Sequence, residues 1–251
     1  IFLTPKRIDG GVSFWKENED ILKRAEQAYG VDAAVIVAII GVETRYGANT
    51  GSYRVIDALS TLAFEYPPRS KFFRSELEQF LILAREEDVD VRKAKGSYAG
   101  AMGYGQFIPS SYRAYAVDFS EDGKRDLWGN MDDIIGSVAN YFQRHDWQAG
   151  KPVASRVNGN APASGFQVSE KIKPGKKTAG DYAKAGITTD PPLPGDQAVA
   201  LLEFEQTNGP EYWLTTKNFY VITRYNRSPL YAMAVYQLSD AIQEAYLKDR
   251  S

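Results

Sequence analysis

The chain has 251 residues, 43% of them hydrophobic and 13% aromatic, enough to bury a sizeable core in one large domain or two to three small ones. Thirty Lys and Arg against 32 Asp and Glu leave a net charge of -2, a balance that argues against duplex nucleic acid as a partner. With no cysteine and a single histidine, His145, disulfide frameworks, cysteine nucleophiles and most zinc sites fall away, so chemistry is left to carboxylates, hydroxyls, amides or a hard metal ion.

The spacing of Phe14, Ile21, Leu22, Ala25 and Ala28 predicts a helix over residues 14–29, with Gly30 as its terminator. Asp32 caps the next predicted helix, AAVIVAIIGVETRYG, which ends near Gly47. Its apolar stretch, Ala33 to Val42, is far shorter than the roughly 20 residues a membrane span needs. The chain begins at Ile1 without a signal peptide, which is compatible with a leader or anchor removed beforehand. Residues 55–64 and 70–87 read as two further helices, broken apart by Pro67-Pro68. A Gly-rich turn region, Gly96 to Gly105, precedes a helix that starts at Pro109 or Ser110, and residues 131–145 form another. From Gly150 to about Gly195 the texture turns to Gly, Pro, Ser, Lys and Asn. Residues 198–206 and 211–216 then read as strands around the turn Asn208-Gly209, and helical spacing returns in NFYVITRYN and LYAMAVYQLSDAIQEAYL. The expected architecture is mainly helical with a small, late β insertion.

Four segments carry candidate chemistry. Ile36, Ile39 and Ile40 share a helix face with Glu43, and a carboxyl at the end of such an apolar stripe is desolvated, which favours a protonated acid near neutral pH. A structural glutamate paired with Arg45 or another arginine is the competing reading. In DFSEDGKRDLWGNMD, residues 118–132, Asp118, Ser120 and Asp122 stand at the first, third and fifth positions of an EF-hand-like loop, with Gly123 at the turn and the Lys124 carbonyl next. The twelfth position is Gly129 instead of Glu; in a longer loop Asp132 supplies the closing carboxylate. Ca²⁺ is the expected ion, with a metal-free acidic turn as the alternative. KGSYAGAMGYGQFIPSSY, residues 95–112, lets a backbone approach a ligand closely, and Ser97 and Gln106 can hydrogen-bond hydroxyl or amide groups. In NFYVITRYNRSPLYAMAV, residues 218–235, Tyr225, Asn226 and Tyr231 stand beside an apolar helix, where packing with a satisfied hydroxyl is the default for each tyrosine.

Taken together and in this order, GVETRYG, GSYAGAMGYGQFIPSSY, the DxSxDGxxDLW loop and NFYVITRYNRSPLYAMAV resemble the signatures of the lytic murein transglycosylase B family, from about Gly41 to Val235. The resemblance implies a mainly α (α+β) fold: a lysozyme-like helical core with a helical insertion and a small β insertion. The core would occupy residues 1–54, 95–149 (with the EF-hand-like loop) and 217–251, the helical insertion 55–94 and the β insertion 150–216. It implies Glu43 as the single catalytic acid and base, and glycan contacts from Ser97, Gln106, Tyr225, Asn226 and Tyr231. Tyr141 is a further substrate contact, Phe107 a ring that helps exclude water, and Arg69 is placed to meet the stem peptide. Asp118, Ser120, Asp122, the Lys124 carbonyl and Asp132 match the metal loop. Its ion would be a structural Ca²⁺ that another hard cation can replace, and no organic cofactor is implied.

The implied activity is cleavage of the MurNAc–GlcNAc β-1,4 bond of peptidoglycan with a 1,6-anhydromuramyl product; a lysozyme-like hydrolase and a non-catalytic peptidoglycan-binding scaffold are the alternatives. The implied partners are glycan strands with their stem peptides, and proteins of cell-wall synthesis or remodelling, met by a monomer with no affinity for nucleic acid. The implied location is the periplasm of a Gram-negative bacterium, soluble or anchored to the outer membrane through a removed lipoprotein N-terminus. Against that setting the basic stretch KIKPGKK, residues 171–177, reads as a solvated loop, with a contact for anionic wall polymers as the alternative.

Overall fold

In the computed structural model, which describes residues 2–159 and 167–250, Asn18 divides the first predicted helix into α1 (Pro5–Glu17) and α2 (Glu19–Tyr29). The Asn18 side-chain amide donates back to the Phe14 carbonyl at 2.8 Å, so the chain turns at the asparagine. Sequence reading also missed the opening turns of α1, because Gly10 and Gly11 look like helix breakers. Here they are contact surface: a Cβ on Gly11 would come within 2.5 Å of Ile242.

The helix α3 (Ala33–Thr44) departs from the expected stripe, since every residue from Ala33 to Gly41 is buried. A helix apolar on all sides is stable only when neighbours surround it. They are α1, α2 and a later helix, α7 (Met131–Arg144). Strands β1 (Tyr53–Arg54) and β2 (Lys95–Gly96) pair antiparallel, Tyr53 opposite Gly96 and Arg54 opposite Lys95. That short ladder brings together the two ends of the 55–94 segment, whose helices α4 (Val55–Glu65) and α5 (Ser70–Glu86) pack on each other. The helix α6 (Pro109–Tyr115) packs on α5, and the buried Glu76 carboxylate caps it, accepting the Ser110 amide at 2.9 Å and its hydroxyl at 2.7 Å.

The chain forms two compact units, Ile1–Arg144 with Leu238–Ser251, and His145–Gln237. In the second, β3 (Ala154–Val157), β4 (Thr189–Asp190), β5 (Ala200–Phe204) and β6 (Glu211–Thr215) make an antiparallel sheet in the order β4-β3-β6-β5. The predicted hairpin is β5–β6, turning where Gly209 adopts φ 106°. Strands β3 and β4 and the helix α8 (Ala179–Lys184) lie in the stretch without apolar runs and were not foreseen. A sequence cue for α8 does exist, because Thr178 and Asp181 form a reciprocal cap at its start. A small core of Val157, Tyr182, Ile187, Leu201 and Leu214 fills this unit. The helices α9 (Lys217–Tyr225) and α10 (Pro229–Lys248) follow. Residues 160–166, part of the expected β insertion, lie outside the described residues. Among the described residues no single helix is long and apolar enough to cross a membrane.

Candidate active site

Glu43 sits half-buried in the last turn of α3, just where that helix leaves the core. The next two residues, Arg45 (φ 53°) and Tyr46 (φ 59°), are both left-handed, a conformation that costs an L residue on the order of 1 kcal/mol. Surrounding contacts hold them there. The Arg45 and Tyr46 amides donate to the Gly41 and Ile40 carbonyls at 3.1 and 3.3 Å, and the Tyr46 hydroxyl donates to the Arg7 carbonyl at 2.7 Å. The Arg7 guanidinium donates to the Gly41 carbonyl. The Tyr46 ring lies so close to Gly41 that a Cβ there would come within 2.5 Å of its hydroxyl oxygen. Burial holds the Tyr46 phenol well above its ordinary pKa, with the Arg7 charge acting in the opposite sense, so the phenol remains a donor.

The segment after Glu43 is clamped to the Gly-rich one. Thr44, fully buried, donates from Oγ1 to the Tyr104 carbonyl at 3.0 Å and accepts the Gly47 amide at 3.1 Å. Gly47 faces the Tyr104 ring and Gly51 faces the Gly96 backbone, each so tightly that a Cβ would lie 2.1 Å away. The Gln106 side-chain amide adds a third link, donating to the carbonyls of Thr50 at 3.1 Å and Gly103 at 2.9 Å. Among the described residues nothing donates to the Gln106 side-chain oxygen, which is left to accept from a ligand. Ser97 Oγ accepts the Ala101 and Ala99 amides at 3.0 and 3.3 Å, so its hydroxyl hydrogen can point outward. Glu43, in the last turn of α3, is thus followed by a loop that glycine contacts and backbone acceptors fix to the loop of Ser97 and Gln106.

The other expected substrate residues are placed differently. Phe107 is 3% exposed and packs on Tyr141, itself 8% exposed, at a ring-centroid distance of 5.8 Å. Tyr115 meets the same ring at 4.9 Å. Phe107 is thus a buried ring, at the end of a turn from Met102 that is closed by paired backbone bonds of 2.9 and 3.0 Å. Arg69 is exposed on the helical segment, its guanidinium 4.3 Å from the Phe72 ring centroid and 5.1 Å from that of Phe73. Tyr225, Asn226 and Tyr231 gather at the turn from α9 to α10 in the second unit, where the Asn226 side-chain oxygen accepts the Ser228 amide at 3.1 Å.

The acidic loop folds around its own carboxylates. Asp118 accepts the Gly123 amide at 2.7 Å, the Asp122 amide at 3.1 Å and the Ser120 hydroxyl at 3.2 Å. Burial tends to raise the Asp118 pKa, and those donors outweigh it and hold the carboxyl below its usual range. Lys124 donates its amide to Asp122 at 2.9 Å. Asp133, fully buried, accepts the amides of Phe119, Ser120 and Asp126 at 2.8, 3.1 and 2.9 Å. It is Asp133 that joins Asp118 and Asp122, each offering one oxygen, all within 4.8 Å of one another. Asp132, the closing position expected from the sequence, is the neighbouring residue and pairs with Arg24 in this metal-free loop. Three carboxylate oxygens so close repel one another, and an all-oxygen set of this kind suits a hard cation. The loop can hold a metal ion.

With this geometry in view, comparison with known proteins shows that the profile of the family described as the transglycosylase SLT domain matches residues 1–240. The chain belongs to that family. It is 51% identical over 243 residues to the membrane-bound lytic murein transglycosylase B of Escherichia coli (strain K12), a match covering 96% of this chain and 65% of that relative. It therefore spans a little under two thirds of the relative's length. Among solved structures of this family, the Escherichia coli lytic transglycosylase Slt35 in complex with calcium superposes with a TM-score of 0.89 at 50% identity, covering 98% of this chain and 77% of that one. The Pseudomonas aeruginosa SltB3 in complex with NAG-anhNAM-pentapeptide gives 0.88 at 36% identity, covering 96% and 64%. The mainly helical, lysozyme-like class expected from the sequence is the class of these family members.

Proposed function

We propose that the chain is a peptidoglycan lytic transglycosylase, cutting the MurNAc–GlcNAc β-1,4 bond with Glu43 as its single acid and base. The observation that carries this reading is the half-buried Glu43 carboxyl in the last turn of α3, past its buried apolar run, where the following loop is clamped to the Gly-rich segment of Ser97 and Gln106. Relatives that are lytic transglycosylases support it. Glycosidases with two working carboxylates flank the scissile bond with both. Here neither residues 41–54 nor residues 95–108 hold an acid other than Glu43.

Protonated Glu43 gives its proton to the glycosidic oxygen as the bond to the anomeric carbon breaks. The ionised carboxylate then takes the proton of the muramic 6-hydroxyl, whose oxygen bonds to that carbon. A 1,6-anhydromuramyl end forms and no water is consumed. Ser97 and Gln106 offer a donor and an acceptor to the sugar, Tyr225, Asn226 and Tyr231 are further glycan contacts, and Arg69 meets a stem-peptide carboxylate. Digestion of peptidoglycan in water enriched in heavy oxygen should release muropeptides lighter than hydrolytic products by one water and free of label at the new end. Labelled reducing-end muramic acid as the main product would make the chain a hydrolase. The name of the Escherichia coli relative supports an envelope location, which we take to be the periplasm, with a lipid anchor on the outer membrane as one form.

The acidic loop is read as a structural Ca²⁺ site, supported by the calcium complex of Slt35 and by the carboxylate cluster. Asp118, Ser120, Asp122 and the Lys124 carbonyl would hold the ion, with Asp133 or Asp132 closing the shell. An ion bound only by the folded state stabilises it by about 2.7 kcal/mol at a hundredfold excess over Kd, which raises Tm by about 5–10 °C. Asp122→Ala should abolish that rise while leaving glycan cleavage measurable at low temperature. A melting temperature indifferent to chelator would remove the metal from the account.

A further inference from the structure

The basic stretch KIKPGKK has no part in the chemistry above, yet Lys173 lines a cavity of about 490 Å³ in the second unit together with Lys151, Lys217, Asp146 and Asp196. That volume is in the range of small-ligand pockets. Its frame is fixed from beneath. Asn218, fully buried in the first turn of α9, donates to the Gln148 and Lys151 carbonyls at 2.9 Å each and accepts the Gln148 amide at 2.8 Å. Backbone bonds from Ala179 to Gln197 and from Val199 to Lys177, 2.9 and 3.0 Å, pin the other wall.

Three ammonium groups face two carboxylates in this cavity. The Lys173 and Lys217 ammonium groups lie over the same Tyr220 ring, 5.7 and 5.6 Å from its centroid, so two like charges share one aromatic surface. Lys217 opens α9, and the positive end of that helix adds to them. Only Lys217 is paired, with Asp146 at 3.2 Å, and that carboxylate is 84% exposed. Among the described residues no carboxylate lies within ion-pair distance of Lys151 or Lys173. An anion entering beside Lys173 and Lys217 relieves the repulsion of the two ammonium groups over Tyr220. Asp146 and Asp196 on the same cavity disfavour a polyanion and favour a ligand that carries an ammonium beside its carboxylate.

We infer that this pocket binds the free carboxylate of a short peptide bearing a nearby ammonium group, as the stem peptides of peptidoglycan do. The peptide class rests on the transglycosylase reading; the carboxylate preference rests on the pocket. Calorimetric titration of the whole chain tests it with three probes: an acidic tetrapeptide with a free C-terminus and a side-chain ammonium, the same peptide as its C-terminal amide, and inorganic phosphate. The free peptide should bind one site, weakening as salt is added. The double variant Lys151→Gln/Lys173→Gln should weaken it roughly fivefold, the sum of two exposed charge contacts. The amide should bind more weakly than the free acid, and Lys176→Gln, exposed and outside the cavity, should bind as wild type does.

Equal binding by wild type and the double variant, or equal binding of acid and amide, overturns the site. Phosphate competing as well as the peptide makes it a plain anion pocket and overturns the peptide assignment. Digestion of intact peptidoglycan reads the other proposal separately. Cleavage without peptide binding sinks the pocket alone, and peptide binding without cleavage sinks the lytic reading alone.

Discussion

Glu43→Gln is expected to lower turnover by about 10²–10⁴ or more, the range that acid–base help supplies by itself. The amide has nearly the shape of the acid but cannot give a proton to the leaving oxygen and then take one from the 6-hydroxyl. Glu43 lies at the end of α3, past the wholly buried run from Ala33 to Gly41, so the exchange leaves the core untouched. Melting temperature and binding of a muropeptide should therefore stay close to wild type while product release from peptidoglycan collapses. Turnover above about a tenth of wild type in the purified variant would place the acid elsewhere.

Gly51→Ala should come next in size, although no proposed chemistry touches residue 51. Its φ of 97° is strained for alanine, and the new Cβ would lie 2.1 Å from the Gly96 backbone, which cannot swing away as a side chain can. The two loops must part there, and with them the clamp that sets Gln106 against Thr50. A displacement of about 1 Å in a reacting geometry costs on the order of 10²-fold in rate, so kcat is expected to fall by about that much. Ca²⁺ should still raise the melting temperature, because the metal loop lies at residues 118–133. A variant with wild-type kcat would mean that the loop after Glu43 and the loop of Ser97 do not need each other.

These two positions show what the sequence could and could not disclose. Glu43 stands out in the sequence because a carboxyl at the end of the Ile36, Ile39 and Ile40 stripe is chemically odd. That pattern fits a structural glutamate as well, and it is the family resemblance that singles Glu43 out. The role of Gly51 was not legible, since a glycine's need for close approach depends on a partner 45 residues away. Spacing also could not choose between Asp132 and Asp133. Both open α7, and adjacent helical residues point about 100° apart, so in this metal-free loop Asp133 lies with Asp118 and Asp122 while Asp132 reaches Arg24. Periodicity found α3 and overstated its one-sidedness, because an all-apolar run fits a stripe as well as it fits total burial. It missed β3, β4 and α8, whose two to six residues are too short to show a period. The facing of Phe107 was not legible for another reason: an aromatic in a Gly-rich loop can face either way, and here it packs on Tyr141.

The helix that ends in Glu43 also sets terms for how the chain can be made. All of Ala33 to Gly41 must be covered, and one of the covering surfaces is α7, which leaves the ribosome some ninety residues after α3. Until Arg144 has emerged, the nascent chain carries an apolar helix with one flank bare. Such a surface is what holdase chaperones grip and what drives aggregation of incomplete chains. The helix that carries the proposed acid is thus also the segment most dependent on escort during synthesis, and a fragment that stops short of α7 keeps the sequence of α3 without a folded place to put it.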